Sequence, residues 1–305
     1  MGVATREAYG KTLVELIENE NVVVLDADLA KATKTIEFKN ICSERFFDMG
    51  ISEQDMIGTA AGLATCGKIP FASTFAIFAA GRAFEQIRNS VAYPKLNVKI
   101  AATHAGITVG EDGGSHQAIE DIALMRSIPN MVVLNPCDDI EARAAVLSSV
   151  EYDGPVYIRL GRAATPTIHD EKYNFKIGKG EILEEGNDIT IFATGIMVAK
   201  ALEAAKILKE ENINATVINI STIKPLDNEL ILKMAKKTNK VIVAEEHSVI
   251  GGLGSAICEL LSQEYPTKVK LIGIQDKFGK SGSLKELLEV YGLTENDIIK
   301  AAKSF

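Results

Sequence analysis

The chain has 305 residues, with 33 Lys+Arg against 41 Asp+Glu for a formal net charge of −8. Its 47% hydrophobic and 24% charged residues exclude disordered and fibrous classes, and at roughly 100–200 residues per domain the length predicts about two domains. The acidic balance argues against broad electrostatic capture of nucleic acid or an anionic membrane, although a few placed arginines suffice for a small anionic substrate. No apolar core follows Met1-Gly2-Val3-Ala4-Thr5-Arg6, and the weakly polar stretch 71–81 is too short to span a bilayer. Cys42, Cys66, Cys137 and Cys258 are widely separated, form no CxxC and have no clustered histidine, which argues against structural zinc and for a reducing, cytoplasmic setting.

Apolar runs predict buried strands at 22–25 and 45–48, followed by a helix with apolar positions Ile57, Ala60, Ala61 and Ala64. Residues 69–71 lead into a long predicted helix through Phe84, Ile87 and Val91. Further strands are predicted at 98–102, 131–134 and 156–158. After an irregular stretch near 163–185, a second series follows at 189–192, 215–218, 240–243 and 269–272. Strands alternating with helices predict an α/β chain of two consecutive domains, each a mainly parallel sheet flanked by helices. The expected bounds are 1–165 and 186–305, with 166–185 as a surface linker. Ligands of such sheets sit beyond the carboxyl ends of strands, so the loops after Leu25, Asp48, Ala102 and Leu134 are where chemistry is expected.

Four constellations stand out. Gly50-Ile51-Ser52-Glu53-Gln54-Asp55 predicts a helix start capped by Ser52 with Asp55 as a capping-box partner, Glu53 serving the helix dipole or a ligand. The segment 103–117 places His104 and His116 with Glu111 and Asp112 in one Gly-rich loop, suited to acid–base or hydrogen-bonding work near neutral pH. Phe75 and Phe78 are either core or a flat apolar wall for a ring. Arg6, Arg159 and Arg162 are candidates for an anionic group. Two decoys fail: five residues, not four, separate Gly273 from Gly279, and Gly251-Gly252-Leu253-Gly254 lacks a complete dinucleotide fingerprint.

Together these segments resemble the C-terminal half of transketolase across nearly the whole chain. The match is carried by Asp28, Gly50-Ile51-Ser52-Glu53-Gln54, Ser73-Thr74-Phe75, Thr103-His104, Gly110-Glu111-Asp112-Gly113 with His116-Gln117, Ile128-Pro129-Asn130-Met131, Glu245-Glu246-His247 and 251–255. The resemblance implies a thiamine diphosphate pyrimidine-binding domain followed by a transketolase C-terminal domain. It implies that Glu53 hydrogen-bonds the aminopyrimidine ring, favouring the tautomer that removes the thiazolium proton, with Phe75 and Phe78 packing the ring and Asp28 near the cofactor's centre. Substrate contacts implied are His104 and the arginines Arg6 and Arg162 at a sugar phosphate, Asp112 at a hydroxyl and His116 at the reacting oxygen. The implied catalytic residues are Glu53, His116 and His104. Ala32 stands where a serine is expected, with Lys31 and Thr33 beside it, and Ala79-Ala80-Gly81 stands where some members carry another aromatic.

The family holds Mg²⁺ (or Ca²⁺) and diphosphate with Gly-Asp-Gly and a later Asn-Asn; the chain has neither, so it is expected to supply no metal ligands. The resemblance therefore implies a split enzyme, completed by a separate N-terminal subunit in an α₂β₂ assembly acting on sugar phosphates. The β subunit of a 2-oxoacid dehydrogenase, 1-deoxyxylulose-5-phosphate synthase and a non-catalytic module of the same fold are the alternatives.

Overall fold

A computed structural model describes residues 2–305; Met1, where the first domain is expected to begin, lies outside them. Strands in the first half are β1 (Val3–Ala4), β2 (Val22–Asp26), β3 (Phe46–Asp48), β4 (Ile69–Phe75), β5 (Lys99–Thr103), β6 (Val132–Leu134), β7 (Val156–Arg159) and β8 (Ala164–Thr165). The second half adds β9 (Glu181–Glu184), β10 (Ile189–Ala193), β11 (Ala215–Asn219), β12 (Thr222–Lys224), β13 (Lys240–Ser248) and β14 (Lys268–Ile274).

The chain is α/β, with mainly parallel sheets flanked by helices. One sheet has the order β12-β6-β7-β5-β4-β2-β3, parallel except for β12. The other has the order β14-β13-β10-β11-β9, parallel except for β9. Every residue of β2, β5, β6, β7, β10 and β11 is buried, as strands covered on both faces require, and this is why they read as mostly apolar runs rather than as alternating ones.

Three local expectations are corrected. Ile69–Phe75 is a full strand rather than a lead into a helix. Its Pro70 lies beside Val23 of β2, while pairing with β5 begins only at Phe71, so the missing N–H falls where one flank is still open. The expected long helix is broken into π-helical turns at Phe78–Arg82 and Ile87–Ala92 around a short α-turn, Phe84–Gln86. The capping box also does not form: Ser52 is the N-cap of the helix Glu53–Thr65 but its side chain makes no cap hydrogen bond.

The halves share structure. Strand β12 of the second half closes an edge of the first sheet, and one apolar core runs from Met56, Ile100 and Ile122 to Ile220, Leu253 and Ile257. Within the expected surface linker, His169 and Phe175 are buried and Glu181–Glu184 is a sheet strand, so the connection is anchored by side-chain burial and pairing. Among the described residues no helix is long and apolar enough to cross a membrane.

Candidate active site

Because β2, β3, β4, β5 and β7 are parallel, their carboxyl ends share one edge of the sheet. The expected site residues come from those ends: Asp28 after β2, Glu53 after β3, Phe75 closing β4 with Phe78 behind it, His104 after β5 and Arg162 after β7. Arg6 enters from the helix Thr5–Glu15. Five strand ends and one helix thus contribute side chains that lie up to 156 positions apart in the chain, from Arg6 to Arg162.

The aromatic wall is continuous. The Phe75 and Phe78 rings stack with centroids 5.9 Å apart and planes 10° from parallel. His104 lies face-on to Phe75 at 3.9 Å. His116 stands edge-on to Phe78 at 5.5 Å and to Phe75 at 6.3 Å, its Nδ1 3.0 Å from the Ser115 hydroxyl. Glu53, only 2% exposed, is reached by Arg82, whose Nη1 donates to both carboxylate oxygens at 2.9 and 2.8 Å.

His104 and Arg6 form the polar side. The guanidinium of Arg6 always carries its protons, so the 3.1 Å contact from Nη1 makes His104 Nε2 an acceptor. The ring proton then sits on Nδ1 and is donated to the Thr103 hydroxyl at 3.0 Å. Burial first, then the charges of Arg6 and Arg162 and the nearby His116, push His104 down to about 3, so it is neutral at physiological pH. Arg6 also donates to the Ala32 carbonyl at 2.8 Å, while its Nε is buried without a partner. Arg6 and Arg162 line one cavity of about 350 Å³ with Thr108, Val109 and Gly282. Two guanidiniums, one with a spare buried donor, are the donor set an anion requires.

The Gly-rich loop is shaped from the second half of the chain. Gly106 has φ +80°, and a Cβ there would lie 2.2 Å from the Glu246 carboxyl carbon. Glu246 accepts from the Thr108 amide at 2.7 Å, and burial, only partly offset by Arg159, raises its carboxyl to about 7. Arg162 donates to the Val109 carbonyl and lies 3.7 Å from the exposed Asp112, which ties Asp112 to the arginine pair.

Not every candidate joins the group. Asp28 is exposed, at φ +60°, and its amide donates to Asp48. Arg159 is buried against Asp121 at 2.9 Å and is a structural residue. Thr33 turns inward to Asp26 at 2.7 Å, so its hydroxyl does not take the place of the missing serine at Ala32. Both decoy segments have structural duties. Glu245 accepts from the Leu253 and Gly254 amides, filling the helix N-terminus that a phosphate would need, and the Lys280 carbonyl accepts from Gln117 Nε2.

Sequence reasoning missed two features. Arg82 lies on a π-helical turn whose wider pitch no periodicity signals. Cys137, Asp138 and His169 also come together, ligand atoms within 4.8 Å, although 32 positions separate Cys137 from His169. Asp138 Oδ2 already accepts from the Ile168 amide, the His169 amide and His169 Nδ1 at 2.7–2.8 Å, which fits an internal ion pair rather than metal coordination.

Residues 1–167 match the family model described as the transketolase pyrimidine binding domain, and residues 178–298 match the transketolase C-terminal domain. A Methanocaldococcus jannaschii protein provisionally assigned as a transketolase C-terminal section is 54% identical over 97% of this chain and 94% of its own length. A Clostridium 6-deoxy-6-sulfo-D-fructose transketolase subunit, SqwH, is 45% identical over 97% of this chain and 92% of its own. A solved split-gene transketolase, described as an inactive β4 tetramer, is 57% identical with a TM-score of 0.92, covering 100% of this chain and 98% of that one. The chain belongs to the transketolase family, and it is similar end to end to the C-terminal subunit of split transketolases.

Proposed function

We propose that this chain is the catalytic C-terminal subunit of a split transketolase, transferring a two-carbon ketol unit from a ketose phosphate to an aldose phosphate with thiamine diphosphate. The observation that carries this reading is the convergence of a buried carboxylate, a stacked phenylalanine pair and an arginine pair on one sheet edge. Thiamine diphosphate, when bound, supplies the electron sink for the carbon–carbon bond that breaks. Glu53 would hydrogen-bond the aminopyrimidine nitrogen and Phe75 and Phe78 would pack the ring, while Asp28, exposed on the turn after β2 and outside that group, would meet the cofactor beyond them. Arg6 and Arg162 hold the sugar phosphate, with the neutral His104 beside them and Asp112 at a substrate hydroxyl. His116, its Nδ1 engaged by Ser115, offers its other nitrogen to the reacting oxygen.

The donor set fits only the pyrimidine half of the cofactor. Among the described residues, the one group of His, Cys, Asp and Glu close enough to share an ion is the Cys137–Asp138–His169 cluster, already satisfied internally. The diphosphate and Mg²⁺ site is assigned to a separate N-terminal subunit, in an α₂β₂ assembly, because this chain carries neither the Gly-Asp-Gly nor the Asn-Asn by which the family holds them. A relative built from one kind of chain and described as inactive supports this reading, and the sulfo-sugar subunit among the relatives supports a sugar carrying an anionic group as the substrate class.

Mixing the purified chain with thiamine diphosphate, Mg²⁺ and a ketose phosphate tests the split. Turnover is expected only after the N-terminal subunit is added, and turnover by this chain alone overturns it. Within the complex, Glu53→Gln is expected to lower kcat by at least about 100-fold. Undiminished turnover would leave Glu53 a helix-start residue.

A further inference from the structure

Arg82 holds Glu53 in an unusual way. Its guanidinium lies over the Phe78 ring, 4.4 Å from the centroid, while Nη1 donates to both oxygens of Glu53. The Glu53 side chain is 1% exposed and that of Arg82 is 48% exposed, so the pair joins a sealed acid to an arginine with open solvent behind it. The backbone under Arg82 is fixed independently: the Gln54 side-chain Nε2 donates to the Arg82 carbonyl at 3.1 Å, and the π turn closes through the Ala83 backbone N–H to the Phe78 carbonyl at 3.2 Å. The side chain is therefore free to leave without the wall moving.

A guanidinium is flat and delocalised, donates N–H groups to a carboxylate and stacks on an aromatic face. Those are the features by which Glu53, Phe75 and Phe78 would hold a flat pyrimidine whose imino tautomer donates its ring N–H to the carboxylate. We propose that Arg82 is an internal placeholder for the cofactor ring: it satisfies Glu53 and covers Phe78 in the unloaded subunit, and swings outward when the ring docks. The proposal rests on the reading of Glu53, Phe75 and Phe78 as the pyrimidine seat. A sealed carboxylate stripped of its partner is destabilising, so the subunit needs a surrogate until the ring arrives. The same contact competes with the ring, and the measured affinity is lowered by the fraction of subunits in which Arg82 occupies the seat.

The test uses the complex assembled with the N-terminal subunit, Mg²⁺ present, and calorimetric titration with thiamine diphosphate. Arg82→Gln is expected to bind on the order of ten-fold more tightly, because the competitor is gone. Arg82→Lys keeps the charge and loses the flat stack, and is expected to fall between the two. In a Glu53→Gln background, adding Arg82→Gln is expected to change the affinity little, because the contact it removes is already broken. Weaker or equal binding by Arg82→Gln overturns the proposal and makes Arg82 a fixed part of the site. Should Arg82→Gln fail to fold, the wild type decides: exchange of the Arg82 guanidinium protons, followed by NMR, accelerates on adding cofactor if Arg82 is displaced, and an unchanged or slower rate overturns it. Turnover of Glu53→Gln separates the two readings. If it collapses while Arg82→Gln binds no more tightly, only the placeholder fails; if it is undiminished, the pyrimidine seat itself fails.

Discussion

His104 and His169 are both buried and lie at the carboxyl edge of the same sheet, yet they titrate in opposite directions. His104 faces Arg6 and Arg162 and is pushed down to about 3. At His169 burial acts in the same lowering sense, but hydrogen bonds to Asp138 and Glu181, with the charge of Glu141, outweigh it and raise the ring to about 10. Its Nδ1 and Nε2 lie 2.8 and 2.9 Å from carboxylate oxygens of Asp138 and Glu181, so both nitrogens donate and the ring is an imidazolium. Burial favours the neutral ring; the sign of the neighbours decides whether it prevails. The two regions differ in purpose accordingly. At the cleft, a neutral ring stands beside two arginines, only one of which, Arg162, has a carboxylate (Asp112, at 3.7 Å) as an ion-pair partner among the described residues. At the junction the imidazolium is enclosed by carboxylates instead: Asp138 caps the helix Asp139–Glu151, His169 belongs to the connection, and Glu181 lies on β9. Cavity size does not distinguish them, since about 550 Å³ opens beside His169 and about 350 Å³ beside Arg6.

The contrast is most directly broken by removing one charge from the junction. Asp138→Ala strips the imidazolium of its buried partner and the helix of its cap, and a loss of about 4 kcal/mol in urea unfolding is expected. At the cleft, His104→Gln is expected to lower kcat/KM of the assembled complex about 100-fold, or about 3 kcal/mol of transition-state stabilisation, with little change in melting temperature. A large melting shift there would make His104 structural and erase the distinction. Gly106→Ala forces a side chain at positive φ into Glu246 and is expected to cost about 2 kcal/mol while disturbing His104.

A pH series sharpens the same comparison. His169 binds its proton more tightly folded than unfolded, so its stabilisation is full below about 6.5, the unfolded value, and is lost as pH rises through about 10. Between those values one extra proton on the folded state gives a slope approaching about 1.4 kcal/mol per pH unit, which His169→Gln is expected to abolish. His104 works in the other direction: unfolding takes up a proton there below about 6.5, so its contribution falls as pH drops toward about 3.

Much of this was legible in the chain. Runs such as Val22-Val23-Val24-Leu25 are buried strands because a sheet covered on both faces admits little else, and Glu53 follows a strand end as its neighbours predict. The strand at Ile69–Phe75 was hidden because Pro70 and small residues weaken its strand signal, and a proline is tolerable only where the flanking strand has not yet begun. The edge strand Thr222–Lys224 was hidden because three residues carry no period.

The amino-acid order by itself determined the α/β class, the parallel sheets and the candidates at the strand ends, because periodicity and residue type act over a few neighbours. Tertiary structure alone decided which side chains meet. Arg82 closes on Glu53 across 29 positions, Glu246 shapes the loop at Gly106, and Cys137 finds the histidine that spacing had denied it. Those contacts, and the opposite charge states of His104 and His169, depend on which elements the chain brings together, and a local pattern carries no record of that.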